Sequence, residues 1–339
     1  MMLPTKGVRE PSHSLKDVEA LTESLARFSS PTTELIQASV DAAVAAMPLV
    51  GLGDKMAVDR AAVDAMRASF NSFEFGGIVV IGEGAKDEAP MLFNGEVLGR
   101  GPKLEWDIAV DPIDGTRLAA EGIPGAVAVV AATTLDTMMN CPDVYFMKKL
   151  VCGSAGIGVV DIERSATENI SALAAALGKP VSELVVAVIY KKMNFDLIAE
   201  VEATGAKWHR FDEGDVAIAV AAATPGSGID MMVGIGGNPE GVLAASAVRV
   251  LGGFMQGVLA PRNEQEVASA IACGYSPDQK LELDDLVGPG RQVFVLAGVT
   301  PGILADAVRD GGAGKHGKVV EVFVLDSLIE GAQKISVER

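Results

Sequence analysis

The sequence predicts an α/β protein built in packed layers, an α+β half over the first 160 residues and an α/β half after it. Two observations point there. Beyond residue 160, short apolar runs suited to strands alternate with segments whose apolar residues fall at helical spacing. Aromatic residues make up only 5% of the chain while Ala, Val and Gly abound, which suits close helix-on-sheet contact. With 339 residues, 49% of them apolar, the chain can bury a sizeable core as two domains or one large unit. The expected division is a loosely ordered extension at 1–30, an α+β half at 31–160 and an α/β half at 161–339.

Each element follows from its residues. "SPTTELIQASVDAAVAAM" opens the first helix, with Ser30 as cap, Pro31 at the first helical position and Glu34 in the first turn. "AVDRAAVDAMRASF" repeats apolar residues at helical spacing and forms the second helix. "FGGIVVIG", "DIAVD" and "GAVAVVAATT" read as strands, the middle one stopping at Asp111. After them "TENISALAAALG" is a helix, "ELVVAVIY" a strand, "FDLIAEVEATG" a helix and "AKWHRF" a strand. "GDVAIAVAAAT" is a helix, "IDMMVGIGG" a strand and "PEGVLAASAVRVLGG" a helix. This alternation implies at least one largely parallel sheet.

A formal net charge of −17 argues against a nucleic acid or an anionic membrane as partner. It leaves an anionic substrate open, because a metal ion can invert the sign of a local site. Cys141, Cys152 and Cys273 are scattered and odd in number, which reads as structural thiols in a reducing compartment. No run is apolar enough to span a membrane and the first thirty residues lack a signal sequence, so a cytoplasmic protein is expected.

Acids recur where a strand or helix meets a Gly-rich turn. They are Asp54 and Asp59 in "GLGDKMAVDR", Glu83 in "VVIGEGAKDEAP", Asp111 and Asp114 in "AVDPIDGT", and Glu240 in "GIGGNPEGV". Taken singly, each motif has a plainer reading. "DPIDG" is a turn by composition, "IGEG" a surface Glu between glycines, and "GIGGNPEG" a strand-to-helix turn with Pro239 and Glu240 in the helix's first turn. Four such turns in one chain favour a shared cation, since bare carboxylates at the mouths of buried elements are heavily desolvated. Oxygen ligands without His or Cys favour Mg²⁺ or Mn²⁺ over Zn²⁺. Two such ions about 4 Å apart suit an in-line phosphoryl displacement. Thr116, directly after Asp114-Gly115, begins "TRLAAEG", where its hydroxyl can orient a water and a helix start favours a phosphate.

At these residues the sequence resembles the lithium-sensitive, metal-dependent phosphatases, of which "DPIDGT" is a signature. Together "GLGDK", "VVIGEGAKDEAPML", "AVDPIDGT", "AALGKPVSEL", "EGDVA" and "GIGGNPEGV", in order over about residues 32–325, resemble the class II fructose-1,6-bisphosphatases. The resemblance implies a layered αβαβα sugar-phosphatase fold and Mg²⁺ or Mn²⁺ as cofactor. It implies hydrolysis of the 1-phosphate of fructose 1,6-bisphosphate to fructose 6-phosphate, with sedoheptulose 1,7-bisphosphate also taken by some members. A gluconeogenic role, a sugar bisphosphate partner and a homo-oligomer, dimer or tetramer, are expected. Asp59 and Glu83 match ligands of one metal, and Asp111, Asp114 and Glu240 match ligands of the second. Thr116 matches the catalytic threonine, Asp87 an acid that accepts its proton, and Lys55 lies in the equivalent catalytic loop.

The substrate side departs from the pattern. Gly115, Glu213, Gly214, Asp215 and Gly237 match substrate-binding positions, alongside Asp114 and Thr116. In "VYFMKKL" Phe146 aligns with the family's sugar-binding Tyr, which leaves Tyr145 one place off. In "YKKMN" Lys191 matches the first base of a Lys/Arg-Pro-Arg-His stretch, Lys192 replaces the Pro, Met193 the Arg and Asn194 the His. Exchanging a guanidinium for a thioether weakens recognition of a second phosphate. The alternatives are a non-catalytic or regulatory paralogue and a phosphatase for another sugar phosphate. "GLGDK" and "GGNPEG" disfavour an inositol-phosphate phosphatase.

Overall fold

The computed structural model describes residues 25–83, 91–311 and 317–339. Its first half holds α1 (Thr32–Ala46), α2 (Lys55–Phe70), β1 (Gly76–Ile81), β2 (Val97–Leu98), β3 (Leu104–Asp114), α3 (Thr116–Glu121), β4 (Val127–Thr134) and β5 (Phe146–Cys152). The middle holds α4 (Ala166–Leu177), β6 (Val185–Ile189), α5 (Phe195–Ala203), β7 (Lys207–Phe211), α6 (Asp215–Ala223), β8 (Met231–Gly237) and α7 (Asn238–Val250). Then follow β9 (Phe254–Leu259), α8 (Glu264–Ala272), β10 (Leu281–Glu282), α9 (Leu283–Leu286), β11 (Gln292–Gly298), β12 (Arg309–Asp310), β13 (Lys318–Asp326) and β14 (Gln333–Glu338).

These strands form two sheets. The first runs β12-β13-β11-β4-β3-β1-β2 with β14 added on β13, and the second runs β10-β9-β5-β8-β6-β7. Both are mixed, which corrects the expected largely parallel sheet. Only β1 with β3 in the first, and β6 with β7 and β8 in the second, pair in parallel. β5 joins the second sheet, while β11 to β14 belong to the first.

Side-chain alternation along the central strands builds the layers. In β4, Ala128, Val130 and Ala132 face a core with Leu35 and Ile36 of α1 and Met66 of α2. Val127, Val129 and Ala131 face the opposite core, with α6, α7 and the inner face of the second sheet. β11 divides in the same way, Val293 and Val295 to one side and Phe294 and Leu296 to the other. On the far face of the second sheet, Ile170 and Leu173 of α4 and Ile198 and Val201 of α5 cover Val186 and Val188 of β6. The order is therefore α, β, α, β, α. Lying between two sheets, α6 is buried along its whole length, and its sequence "DVAIAVAAA" has no polar stripe. No helix among the described residues is long and apolar enough to cross a membrane.

Two helix starts bear on the site. Asp54, collected above with the possible ligands, caps α2 by accepting the Ala57 N–H at 3.0 Å, so its carboxylate is accounted for. At α1 the cap is Pro31 rather than Ser30, without a side-chain bond, and the Thr32 hydroxyl instead donates to Asp326 at 2.6 Å.

Candidate active site

The ends of β1, β3 and β8 and the starts of α2, α3, α6 and α7 surround a cavity of about 1060 Å³. β3 does not stop at Asp111 as its sequence suggested; it runs through Pro112 and Ile113 to Asp114. In a regular strand, residues three apart point to opposite faces. Here Asp111 pairs with Val129 and Asp114 with Val127, three steps on β3 against two on β4. The extra residue is a bulge, where the missing N–H of Pro112 is tolerated and an acid is re-aimed. Both Asp111 and Asp114 consequently line the cavity. Gly115 then takes a left-handed φ of +86°, a turn that favours glycine, and α3 begins at Thr116. The Thr116 hydroxyl donates to the Ile113 carbonyl at 3.1 Å.

The other walls interlock with this one. Asp114 Oδ2 accepts the Val216 N–H at 3.0 Å in the first turn of α6. Asp215, buried beside it, accepts from Lys149 Nζ at 2.8 Å and from the Gly237 N–H at 3.1 Å. Lys149 is fully buried on β5 and also donates to the Gly237 carbonyl at 2.9 Å. One ammonium thereby joins β5, the end of β8 and the start of α6. Glu213 is gripped from α3, since Arg117 donates through Nε to Oε1 at 3.0 Å and through its backbone N–H to Oε2 at 3.2 Å.

The acids repel one another. Burial, then Asp114, Glu83, Glu240 and Asp59, push the Asp111 carboxyl well above the usual range. Burial, then Asp215 and Glu240, raise Asp114 to about 8. Burial and Asp215 also raise Glu240, whose Oε2 is buried without a hydrogen-bond partner among the described residues. Asp215 goes the other way: burial would raise it, but Lys149, Lys191 and the Gly237 N–H hold it low. Oxygen-only donors, mutual repulsion and an orphaned carboxylate oxygen fit a hard divalent cation. Among the described residues no three acids, His or Cys converge tightly enough to form a closed ligand set, so the carboxylates share a cavity rather than one point.

Lys55, Asp59, Glu83, Asp111, Asp114, Gly115, Thr116, Tyr145, Phe146, Lys191, Glu213, Gly214, Asp215, Gly237 and Glu240 all line the cavity. Asp87 lies outside the described residues. Lys192 and Met193 are exposed on a short 3₁₀ turn and do not line the cavity. Asn194 is buried and exchanges amide bonds with Ile235, donating to its carbonyl at 2.9 Å and accepting its N–H at 2.8 Å. Sequence reasoning missed Lys149 and Arg262. The signal for Lys149 was available, because "FMKKL" puts adjacent lysines on opposite faces of a strand whose neighbours are apolar.

The profile of a family described as bacterial fructose-1,6-bisphosphatase, glpX-encoded, matches residues 30–332. A relative from Synechococcus sp. (strain RCC307), named D-fructose 1,6-bisphosphatase class 2/sedoheptulose 1,7-bisphosphatase, is 42% identical over 290 residues, covering 81% of this chain and 86% of its own. Another from Escherichia coli (strain K12), named fructose-1,6-bisphosphatase 1 class 2, is 39% identical over 288 residues, covering 81% and 85%.

Proposed function

The chain belongs to the bacterial class 2 fructose-1,6-bisphosphatase family, and we propose from this premise that it hydrolyses the 1-phosphate of fructose 1,6-bisphosphate, with sedoheptulose 1,7-bisphosphate as a second substrate. The observation that carries the reading is the gathering of five acids, Thr116 and the Glu213-Gly214-Asp215 turn around one cavity. Nothing in the relatives favours a non-catalytic paralogue, for both are named as sugar-bisphosphate phosphatases.

The family is one of metal-dependent phosphatases. Asp59, Glu83, Asp111, Asp114 and Glu240 are the residues that would hold Mg²⁺ or Mn²⁺. Bound there, such ions supply Lewis-acid polarisation of a phosphoryl oxygen and a lowered pKa for water. Thr116 keeps its lone pairs available while its proton goes to Ile113, so it can accept from a water and orient it. Asp87 would take the proton when the hydroxyl donates instead. Lys55 and Lys191 offset the negative charge of the substrate, and Glu213 and Asp215 accept from sugar hydroxyls. Gly214 and Gly237 leave the backbone open to the sugar beside Tyr145 and Phe146. Free, mostly buried thiols suit a cytoplasmic enzyme; a gluconeogenic role and a homo-oligomer are proposed from the family resemblance alone.

Phosphate release tests this. The protein is stripped with chelator, reloaded with Mg²⁺ or Mn²⁺, and offered both bisphosphates, fructose 6-phosphate and an inositol monophosphate. The bisphosphates are expected to turn over at least tenfold faster. Equal rates on all four, or full activity in chelator, would sink the reading.

A further inference from the structure

Arg262 lies between β9 and α8 and lines the cavity from the side of Tyr145 and Phe146. Its guanidinium carbon is 4.5 Å from the Tyr145 ring centroid and 5.4 Å from that of Phe146. Glu266, buried in the first turn of α8, fixes the side chain from below. Its Oε1 accepts from Nε at 2.7 Å and pairs with Nη2 at 2.6 Å, while Oε2 accepts the Arg262 N–H at 3.0 Å. Asn263 caps the same helix by accepting the Glu266 N–H at 2.9 Å. Half of the Arg262 side chain is exposed, and Nη1 makes no hydrogen bond among the described residues. The result is a stacked, pre-oriented guanidinium with free donors beside the cavity, the arrangement that suits a phosphate.

Its position assigns it an end of the substrate. Lys191 lines the cavity from the turn between β6 and α5. Arg262 lines it from another wall, stacked against Tyr145 and Phe146. A sugar bisphosphate held by one phosphate among the acids has its second dianion displaced along the sugar, and that dianion needs donors elsewhere. The stretch "YKKMN" offers only Lys191 to the cavity. We propose that Arg262 is the specificity-determining residue for the phosphate that is not hydrolysed, binding it through the guanidinium N–H edge left open by Glu266. The proposal rests on the sugar-bisphosphatase reading above.

The test compares Arg262→Ala and Arg262→Lys with wild type on fructose 1,6-bisphosphate and on 4-nitrophenyl phosphate, a monoester with no second phosphate. Arg262→Ala is expected to raise KM for the bisphosphate roughly 10–100-fold with kcat within about threefold, as for loss of a charged hydrogen bond that holds ground and transition states alike. Arg262→Lys keeps the charge without the fork and is expected to raise KM roughly 3–10-fold. On 4-nitrophenyl phosphate both variants should keep kcat/KM within about twofold of wild type. Equal losses on both substrates would make Arg262 a structural prop for Tyr145 and overturn the proposal, as would no loss on the bisphosphate. Should Arg262→Ala fail to fold, the Lys variant decides alone. A wild type that cleaves 4-nitrophenyl phosphate but not the bisphosphate would bring down the substrate reading and this inference with it. A wild type active on both, with variants that do not discriminate, would bring down this inference only.

Discussion

Asp326 and Asp111 are both acids on strands of the first sheet, and their surroundings drive them in opposite directions. Asp326 accepts from the Thr32 hydroxyl at 2.6 Å and from Arg291 at 3.0 Å. Asp107, four residues before Asp111 on β3, likewise accepts the Thr137 and Met138 N–H groups at 2.8 and 3.0 Å. Asp111, Asp114 and Glu240 are instead raised, first by burial and then by neighbouring acids: Asp114, Glu83, Glu240 and Asp59 act on Asp111, Asp215 and Glu240 on Asp114, and Asp215 on Glu240. The first kind of buried acid stabilises the fold. The second opposes it unless a cation enters, and such arrangements concentrate where chemistry is done.

The largest expected effect separates these two kinds. Asp111→Asn should lower kcat about 10³-fold or more, the several kcal/mol that a metal-held phosphoryl transfer would lose. In chelator the same variant should melt higher than wild type, because one repelling carboxylate is gone. Asp326→Asn should do the reverse, keeping activity and melting lower, since Arg291 loses its charged partner. Thermal melts in chelator alongside phosphate release check both. A chelated Asp111→Asn that melts below wild type would break the comparison.

Next in size is Lys149, whose ammonium donates to Asp215 at 2.8 Å. Lys149→Met leaves Asp215 buried without its ammonium, and the expected loss is about 3–5 kcal/mol in urea denaturation. A loss under about 1 kcal/mol would mean that Asp215 is held by the Gly237 N–H and not by charge.

The two kinds of acid also differ in how far the sequence reveals them. Glu83, Asp114 and Glu240 sit beside glycines, and Asp59 and Asp111 belong to the Gly-containing stretches "GLGDKMAVDR" and "AVDPIDGT", so these segments mark themselves in the chain. What the residues could not reveal was the bulge at Pro112, which depends on the pairing of β3 with β4. Lys149 and Arg262 carry no local mark, because a lysine in a strand and an arginine before a helix are ordinary until Asp215 and Tyr145 arrive from far along the chain. Layered α/β packing was legible from alternation over residues 161–250, whereas the five-layer order followed only from the family resemblance. The return of β11 to β14 to the first sheet was not legible, for antiparallel pairing at such separation leaves no period in the sequence.

A smaller effect concerns pH, with opposite signs for the two kinds. Burial would raise Asp326, but Arg291, Thr32 and the Leu328 N–H hold it below the ordinary carboxylate range. Its contribution is therefore present above the unfolded value of about 4 and is lost as pH falls through the lower folded value. Asp114, raised to about 8, behaves the other way in chelated protein. Its protonated form is the one the fold tolerates, so stability present below about pH 4 is lost as pH rises towards 8. Urea midpoints from acid to alkaline pH, with and without chelator, check the pair. The chelated protein should lose stability between about pH 5 and 8 and regain it with metal. A chelated protein that gains stability over that window would show that the acids of the site do not repel.

The smallest expected effect falls on Met193, where the sequence alone led to the opposite expectation. Aligned with an arginine of the related phosphatases, Met193 marked a lost phosphate contact that Met193→Arg should restore. The side chain is instead 45% exposed, on a turn whose next residue, Asn194, is tied to β8 by its amide. That amide fixes the turn, so Met193 has no ready route to the cavity, which it does not line. Met193→Arg should therefore change kcat/KM for fructose 1,6-bisphosphate less than about threefold, below the roughly tenfold that a new charged hydrogen bond supplies. The same substitution in an Arg262→Ala background separates two outcomes. If the turn stays where it is, Met193→Arg rescues nothing. A tenfold rescue confined to the bisphosphate would place the distal phosphate over "YKKMN" and give the turn the role that Arg262 is assigned.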